Sequence, residues 1–143
     1  MKKYGFTLIE LLIVVSVIGI LSAVLLSIIN PSRQRNRASE VVNAEAIRKV
    51  ASAVEAFTSI NGSYPADANC NTGTNCGGYL SAWPLSEPSK TDEIVYVNNT
   101  TSYYVSVPSK LTASTYLCYQ SGTGKIYNNC DSTCSTGCVE GVL

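Results

Sequence analysis

Residues 2–29 read KKYGFTLIELLIVVSVIGILSAVLLSII, a pair of lysines followed by a nearly unbroken apolar run that carries one carboxylate, Glu10. The 24 residues from Phe6 to Ile29 span roughly 36 Å if they form a helix that rises about 1.5 Å per residue. That length is enough to cross the hydrocarbon core of a bilayer. The stretch therefore predicts a transmembrane helix over residues 6–29, which anchors the rest of the chain to the membrane.

Two other kinds of N-terminal segment share these features: a secretory signal peptide and a plain single-pass anchor. A signal peptide has an apolar region of about 7–15 residues that ends at a small-residue cleavage site. The run in this chain is longer and continues past Ser22-Ala23. A carboxylate inside an apolar run is also energetically costly, so Glu10 indicates a function. Length and hydropathy leave the single-pass anchor open.

The residues Lys2-Lys3-Tyr4-Gly5-Phe6-Thr7-Leu8-Ile9-Glu10 resemble the prepilin processing motif of type IV pilins and pseudopilins. In that motif a short basic leader ends in glycine, and an aromatic residue and a carboxylate follow at fixed spacing. The resemblance implies that a prepilin peptidase cuts between Gly5 and Phe6 and that the new N-terminal residue, Phe6, is N-methylated. It also implies that Glu10 pairs, during assembly, with the amine freed at Phe6 of a neighbouring subunit.

The chain after the apolar run divides into a basic break at residues 30–37 and a head at residues 38–143, and residues 1–5 are the leader. Pro31 lacks the N–H that would extend the helix, so a kink or stop is expected there. The break carries three arginines, Arg33, Arg35 and Arg37. They are expected to contact lipid headgroups, to pair with acidic neighbours in a filament, or to form a solvated collar.

Apolar residues recur with a helical period from about Ala38 to Thr58, and Asn43 is the one residue that does not fit. This face is predicted to pack on a sheet, with a partner-binding stripe as the alternative. Its residues are Val42, Ala46, Ile47, Val50, Ala53, Val54, Phe57 and Ile60. A loop over residues 66–92 follows, and Trp83 and Leu85 are expected to hold it on the core.

Short runs rich in Val, Ile and Tyr then predict an antiparallel sheet of three or four strands, with Asn98-Asn99 and residues 122–124 as turns. The runs are Ile94–Val97, Tyr103–Val107, Tyr116–Gln120 and Lys125–Tyr127. The fold class is therefore α+β and pilin-like, with a long N-terminal helix on a small sheet. The strand tyrosines are expected to be half-buried, with an exposed binding face as the alternative: Tyr96, Tyr103, Tyr104, Tyr116, Tyr119 and Tyr127.

The chain has six cysteines: Cys70, Cys76, Cys118, Cys130, Cys134 and Cys138. Zinc sites favour Cys-x-x-Cys pairs, which are absent, so disulfides are predicted. We expect a Cys70–Cys76 bridge across the short loop and a bridge from Cys118 to one of the last three cysteines. In pilins a disulfide commonly holds the C-terminal segment on the sheet, and the resemblance implies the same here.

Topology and composition limit the classes of function. Counting Lys and Arg on each side of the helix places the head in the cytoplasm, but the cysteines and the leader motif favour the outside. The chain has no histidine, which removes Ser-His-Asp and Cys-His catalysis. No enzyme activity, metal or cofactor is expected. Residues 1–37 carry a net charge of +4 and the whole chain is neutral, so the head is acidic at −4 and nucleic-acid binding is not expected.

The sequence thus predicts a structural subunit of a type IV pilus-like surface filament that serves adhesion, motility, DNA uptake or secretion. Its precursor is expected in a bacterial or archaeal cytoplasmic membrane as a single-pass protein with a cytoplasmic N-terminus. A prepilin peptidase and a pilus or secretion machinery are the implied partners, together with further copies of the chain in an extracellular filament or periplasmic pseudopilus. The alternatives are a pseudopilin of a type II secretion system and a membrane-anchored binding or adhesion domain that does not polymerise.

Overall fold

The computed structural model describes residues 5–28, 30–84, 86 and 94–140, so Lys2, Lys3, Ile29 and Leu85 lie outside the described residues. The chain divides into two compact units, Met1–Gln34 and Arg35–Leu143. The elements are α1 (Leu8–Ile28), α2 (Pro31–Asn61), a 3-10 turn (Asp67–Asn69), α3 (Asn75–Gly78), β1 (Val95–Asn98), β2 (Tyr103–Pro108), β3 (Tyr116–Gln120), β4 (Lys125–Cys130) and β5 (Val139–Glu140). The predicted α+β fold with an antiparallel sheet is confirmed.

Helix α1 is apolar on all sides. Every side chain from Leu8 to Leu25 is exposed, so over these residues the helix shows no buried face. Within the described ranges, one helical stretch is long and apolar enough to cross a membrane, Leu8–Leu25. The structure therefore agrees with a candidate transmembrane helix within the predicted range, residues 6–29.

Helix α2 begins earlier than the sequence predicted, because Asn30 and Pro31 start a new helix rather than a long break. The Asn30 side-chain oxygen accepts the N–H of Arg33 at 3.2 Å, which makes Asn30 the N-cap. Proline suits the first helical position, where its missing N–H is not needed. The three arginines of the predicted break therefore lie in α2, which ends at Asn61 before Gly62 with φ +74°.

The buried face of α2 is rotated from the predicted one. Val42 and Ile60 were expected in the core, but they are 48% and 72% exposed, whereas Asn43 is fully buried. The amide of Asn43 donates to the Pro108 carbonyl at 3.5 Å, and Ala44 and Ala51 are buried in the core that α2 shares with the sheet. Five of the eight predicted residues are buried, Ala46, Ile47, Val50, Ala53 and Val54, and Glu40, Asn43, Ala44 and Ala51 are buried beside them.

The sheet is an antiparallel meander in which the five strands lie in chain order. Strand β3 has the predicted bounds, and β4 continues three residues beyond the predicted end to Cys130. Strand β5 was not predicted. It is two residues long and pairs with Tyr127 and Asn128 of β4, and an exposed ion pair of 2.6 Å joins Lys125 to Glu140.

The two faces of the sheet have different cores, because successive strand residues point to opposite sides. One face packs against α2 and the buried Trp83, through Tyr103, Val105, Val107, Leu117, Tyr119 and Ile126. The other face buries Cys118, Cys130 and Cys134 among Tyr104, Tyr116, Tyr127 and Cys138. The alternative of an exposed tyrosine face is therefore wrong: Tyr96, Tyr103 and Tyr119 are buried, and the other three are half-buried.

Candidate functional site

The predicted cleavage site lies just ahead of α1, in a segment without regular structure over residues 5–7. Phe6 is 85% exposed, and a Cβ added at Gly5 would meet no atom within 4 Å. Among the residues that the structure describes, the peptide bond between Gly5 and Phe6 is thus accessible and the Phe6 side chain is largely uncovered.

Thr7 and Glu10 form a reciprocal cap at the start of α1. The backbone N–H and the hydroxyl of Thr7 donate to Glu10 Oε2 at 2.9 and 2.7 Å, and the N–H of Glu10 points back to Thr7 Oγ1 at 3.4 Å. This is a capping box, in which the N-cap residue and the residue three positions later satisfy each other's N–H groups. Thr7 had no predicted role, although a Thr-x-x-Glu ahead of an apolar run signals such a cap.

The cap leaves one carboxylate oxygen of Glu10 available. Within the part of the chain that the structure describes, Thr7 donates to Oε2, and no donor contacts Oε1. In the uncut chain the nitrogen of Phe6 is a neutral peptide group, so it offers no charge to Glu10. An ion pair between Glu10 and this particular nitrogen would therefore be possible only in a chain cut between Gly5 and Phe6.

All six cysteines are paired, as Cys70–Cys76, Cys118–Cys134 and Cys130–Cys138. The first bridge closes the loop after α2. The other two interlace, because Cys130 lies between Cys118 and Cys134 in sequence and Cys134 lies between Cys130 and Cys138. They attach the C-terminal segment to β3 and β4.

The C-terminal segment is further ordered around the carboxylate of Asp131. It accepts the N–H of Ser135 at 2.8 Å and the hydroxyls of Thr133 and Thr136 at 2.9 Å. These bonds, above all the one from the Ser135 backbone, hold the pKa of Asp131 well below its ordinary value of 3.8. Gln120 adds a bond of 2.6 Å from its amide to the Cys134 carbonyl. The segment is therefore a fixed part of the head.

Glu40 is a second carboxylate whose role the sequence did not indicate. It is 2% exposed, and it accepts the Ser109 hydroxyl at 2.7 Å and the Lys110 N–H at 3.0 Å. A buried carboxylate needs such donors. Glu40 thus joins the first turns of α2 to the loop after β2, which is a structural task.

The other candidate sites from the sequence are not assembled into a reactive centre. The side chains of Arg33, Arg35 and Arg37 are exposed, and the ion pair resolved among the described residues is Lys125–Glu140. Over the same residues, no group of three or more Cys, Asp or Glu side chains could hold a metal ion. The candidate site residues that remain are those of the N-terminal segment, Gly5, Phe6 and Glu10.

Comparison with known proteins singles out this same segment. Residues 1–26 match the family model described as the prokaryotic N-terminal methylation motif, which is the prepilin motif of type IV pilins and pseudopilins. A comparison with curated proteins finds no match to the chain. The matched residues include Gly5, Phe6, Thr7 and Glu10 and end within α1.

Proposed function

We propose that a chain with this methylation motif on an apolar, uncovered helix is the precursor of a structural subunit of a type IV pilus-like filament. The observation that carries the proposal is the match over residues 1–26, which falls on an accessible Gly5–Phe6 bond and on α1. In this proposal the subunit is not an enzyme, and pilus and pseudopilus are two forms of the same assembly.

The first step is the cut between Gly5 and Phe6 by a prepilin peptidase, followed by methylation of the Phe6 nitrogen. Two features support it. The bond lies two residues before Thr7-capped α1 begins, so a protease can bind it in extended form. Glycine before the bond also lets the backbone of an enzyme approach without a Cβ in the way.

The second step is assembly through α1. Moving an apolar helix from lipid into a bundle of similar helices exchanges one apolar environment for another, so hydrophobic burial gives little drive and no register. An ion pair between Glu10 and the Phe6 amine of the next subunit supplies both. Because donor and acceptor lie on different surfaces, the contact is heterologous and propagates as an open helix.

The proposed location follows from these steps. The precursor is a single-pass protein of the cytoplasmic membrane with its leader in the cytoplasm, and the head lies outside, where disulfides persist. A pilus or secretion machinery then extracts subunits into a surface filament or a periplasmic pseudopilus. The three disulfides of the head support an oxidising compartment.

The N-terminal sequence and intact mass of the mature protein test the processing step. We expect a chain that begins at methylated Phe6, and we expect Gly5→Trp to leave uncut, membrane-bound precursor. Gly19→Trp is the matched control, because a Cβ at either glycine meets no atom of the described residues within 4 Å. A mature chain that begins at Val24 would establish a secretory signal peptide instead.

Shearing of cells tests the assembly step. Recovery of the chain in long extracellular fibres supports a pilus, and fibres confined to the periplasm under overproduction support a pseudopilus. A processed chain that stays monomeric in the membrane under both conditions contradicts assembly and identifies a membrane-anchored binding domain.

A further inference from the structure

The head contains three sites with the sequence Asn-x-Ser/Thr, in which the middle residue is not proline. They begin at Asn61, Asn98 and Asn99. This pattern is the acceptor motif for N-linked sugars in exported proteins, where it is used on surface loops. A short pattern of this kind recurs by chance in a chain rich in Asn, Ser and Thr, so the structure has to decide which asparagine is available.

Two of the three asparagines already use their amide nitrogen. The Nδ2 of Asn98 donates to the Pro65 carbonyl at 3.0 Å, and its Oδ1 accepts the Thr100 N–H at 2.7 Å. The Nδ2 of Asn61 donates to the Phe57 carbonyl at 2.9 Å in the last turn of α2. Glycosylation leaves Nδ2 with one N–H, so at either position the sugar would have to be placed around a bond that holds local structure.

Asn99 differs from both. It is exposed in the turn between β1 and β2, where its backbone bonds with Ser102 and Thr101 hold the loop. Among the described residues, no side-chain hydrogen bond involves the Asn99 amide or the Thr101 hydroxyl two positions later. Because β1 is an edge strand of the sheet, this turn is open to an enzyme.

The surface beside Asn99 also suits a sugar. Asn99 lines a cleft of about 250 Å³ together with Ser102, Tyr104, Ser121, Thr133 and Ser135. None of the residues that line this cleft is charged. The hydroxyls of Thr133 and Ser135 donate to Asp131, so they offer acceptor lone pairs to the cleft. Such acceptors beside a half-buried tyrosine ring fit a neutral polyhydroxylated group better than an anion.

We propose that Asn99 is an acceptor for N-linked glycosylation and that the first sugar lies against this cleft. The donor is a lipid-linked pyrophosphate glycan, and the enzyme is a membrane-bound glycosyltransferase of the organism that makes the protein. Asn99 Nδ2 forms a bond to the anomeric carbon, the bond from that carbon to the pyrophosphate oxygen breaks with its electron pair, and Nδ2 loses one proton. The inference rests on the proposed function because it needs the head to be exported.

Intact mass of the protein purified from the organism that makes it tests the proposal, with four variants. The overlap of two motifs supplies a matched pair: Thr101→Val removes the Asn99 motif and keeps that of Asn98, whereas Thr100→Val does the reverse. Asn99→Gln removes the acceptor itself, and Asn61→Gln removes the motif at the end of α2. We expect excess mass, in whole sugar residues, in wild type, Thr100→Val and Asn61→Gln, and none in Thr101→Val and Asn99→Gln.

Each other outcome overturns the proposal. Wild type without excess mass shows that the site is unused, and excess mass that survives Thr101→Val or disappears in Thr100→Val places the sugar elsewhere. The N-terminus of the same preparations separates this inference from the proposed function. A methylated Phe6 without excess mass defeats only the acceptor site, and excess mass on a chain with another N-terminus defeats only the filament assignment.

Discussion

Helices α1 and α2 are both long and both carry isoleucine and valine, but they differ in what covers those side chains. Ile18 in α1 is 56% exposed, whereas Ile47 in α2 is fully buried. Helix α2 shows one apolar face and places it on the sheet, whereas α1 is apolar on every side and buries none of them. The apolar face of α2 is thus buried within the head, whereas the apolar surface of α1 requires an apolar environment such as lipid or other helices.

The difference shows how stability and assembly are divided along the chain. The head has its own core and disulfides, so its fold does not require α1 for hydrophobic burial. The apolar surface of α1 suits lipid first and other copies of the helix later. Changes in α1 should therefore alter assembly and spare the fold of the head, and changes in α2 should do the opposite.

The largest effect is expected at Glu10. Glu10→Val and Glu10→Gln both remove the charge that would meet the Phe6 amine, and an unpaired charge in an apolar bundle costs about 3–5 kcal/mol. We expect normal cleavage and membrane content but no fibres in sheared fractions. Glu45→Gln, an exposed carboxylate of α2, is the control and should assemble. Normal fibres built from Glu10→Val subunits alone would refute the ion pair.

High pH should unfold the head and leave α1 helical. Burial raises the pKa of Tyr96, Tyr103 and Tyr119 above the ordinary value of 10.0. The unfolded chain ionises these tyrosines more easily, so the stability of the head is complete below about pH 10 and falls as pH rises above it. Circular dichroism and tyrosinate absorbance of the full chain in micelles measure this. Full ionisation near pH 10 with an intact head would contradict it.

The same substitution in the two helices should have different effects. Ile47→Ala opens a cavity in the core and should lower the free energy of unfolding of the head by about 2–5 kcal/mol. Ile18→Ala removes an exposed side chain and should change that free energy by no more than about 0.5 kcal/mol. Urea unfolding in micelles, followed by tyrosine fluorescence, compares them. Equal losses would show that α1 contributes to the core of the head.

The features that were predicted correctly from the sequence are those that depend on residues close together in the chain. The apolar stretch of α1, the bounds of β3 and the motif from Gly5 to Glu10 are contiguous, so local pattern is enough to find them. The core face of α2 was partly wrong, because hydrophobicity alone favours Val42 over Asn43, whereas the sheet accepts an asparagine that bonds to Pro108. The Thr7 cap also had a local signal, the Thr-x-x-Glu pattern ahead of an apolar run, although no role was predicted for Thr7.

Contacts between distant residues could not be predicted in this way. The Glu40 carboxylate meets Ser109, which is 69 positions away, and β5 pairs with Tyr127 and Asn128 of β4. The partner of Cys118 among the three tail cysteines was also left open, because spacing does not choose between 15 possible pairings. Each of these contacts forms only once the sheet has folded, and the local sequence around one residue does not predict it.

A smaller effect on the head is expected at Glu40. Glu40→Ala leaves the Lys110 N–H and the Ser109 hydroxyl without their acceptor, which should cost about 1–3 kcal/mol of unfolding free energy. Glu40→Gln keeps one acceptor oxygen and should lose less. Glu45→Ala, an exposed carboxylate of the same helix, is the control in the same urea titration. If both alanine variants lose the same stability, Glu40 has no special role in holding the loop.

The smallest effect is expected at Thr7, where α1 satisfies its own first turn. Thr7→Val keeps the shape of the side chain but removes the hydroxyl that contacts Glu10 Oε2 at 2.7 Å, and loss of such a cap costs about 1 kcal/mol. The amides of the first turn should therefore exchange with solvent about fivefold faster, as measured by hydrogen exchange of the full chain in micelles. Thr7→Ser retains the hydroxyl and should exchange like wild type. Because the Glu10 charge remains in both variants, Thr7→Val should lower the yield of fibres without abolishing them. If the valine and serine variants exchange equally fast, the capping box does not stabilise the start of α1.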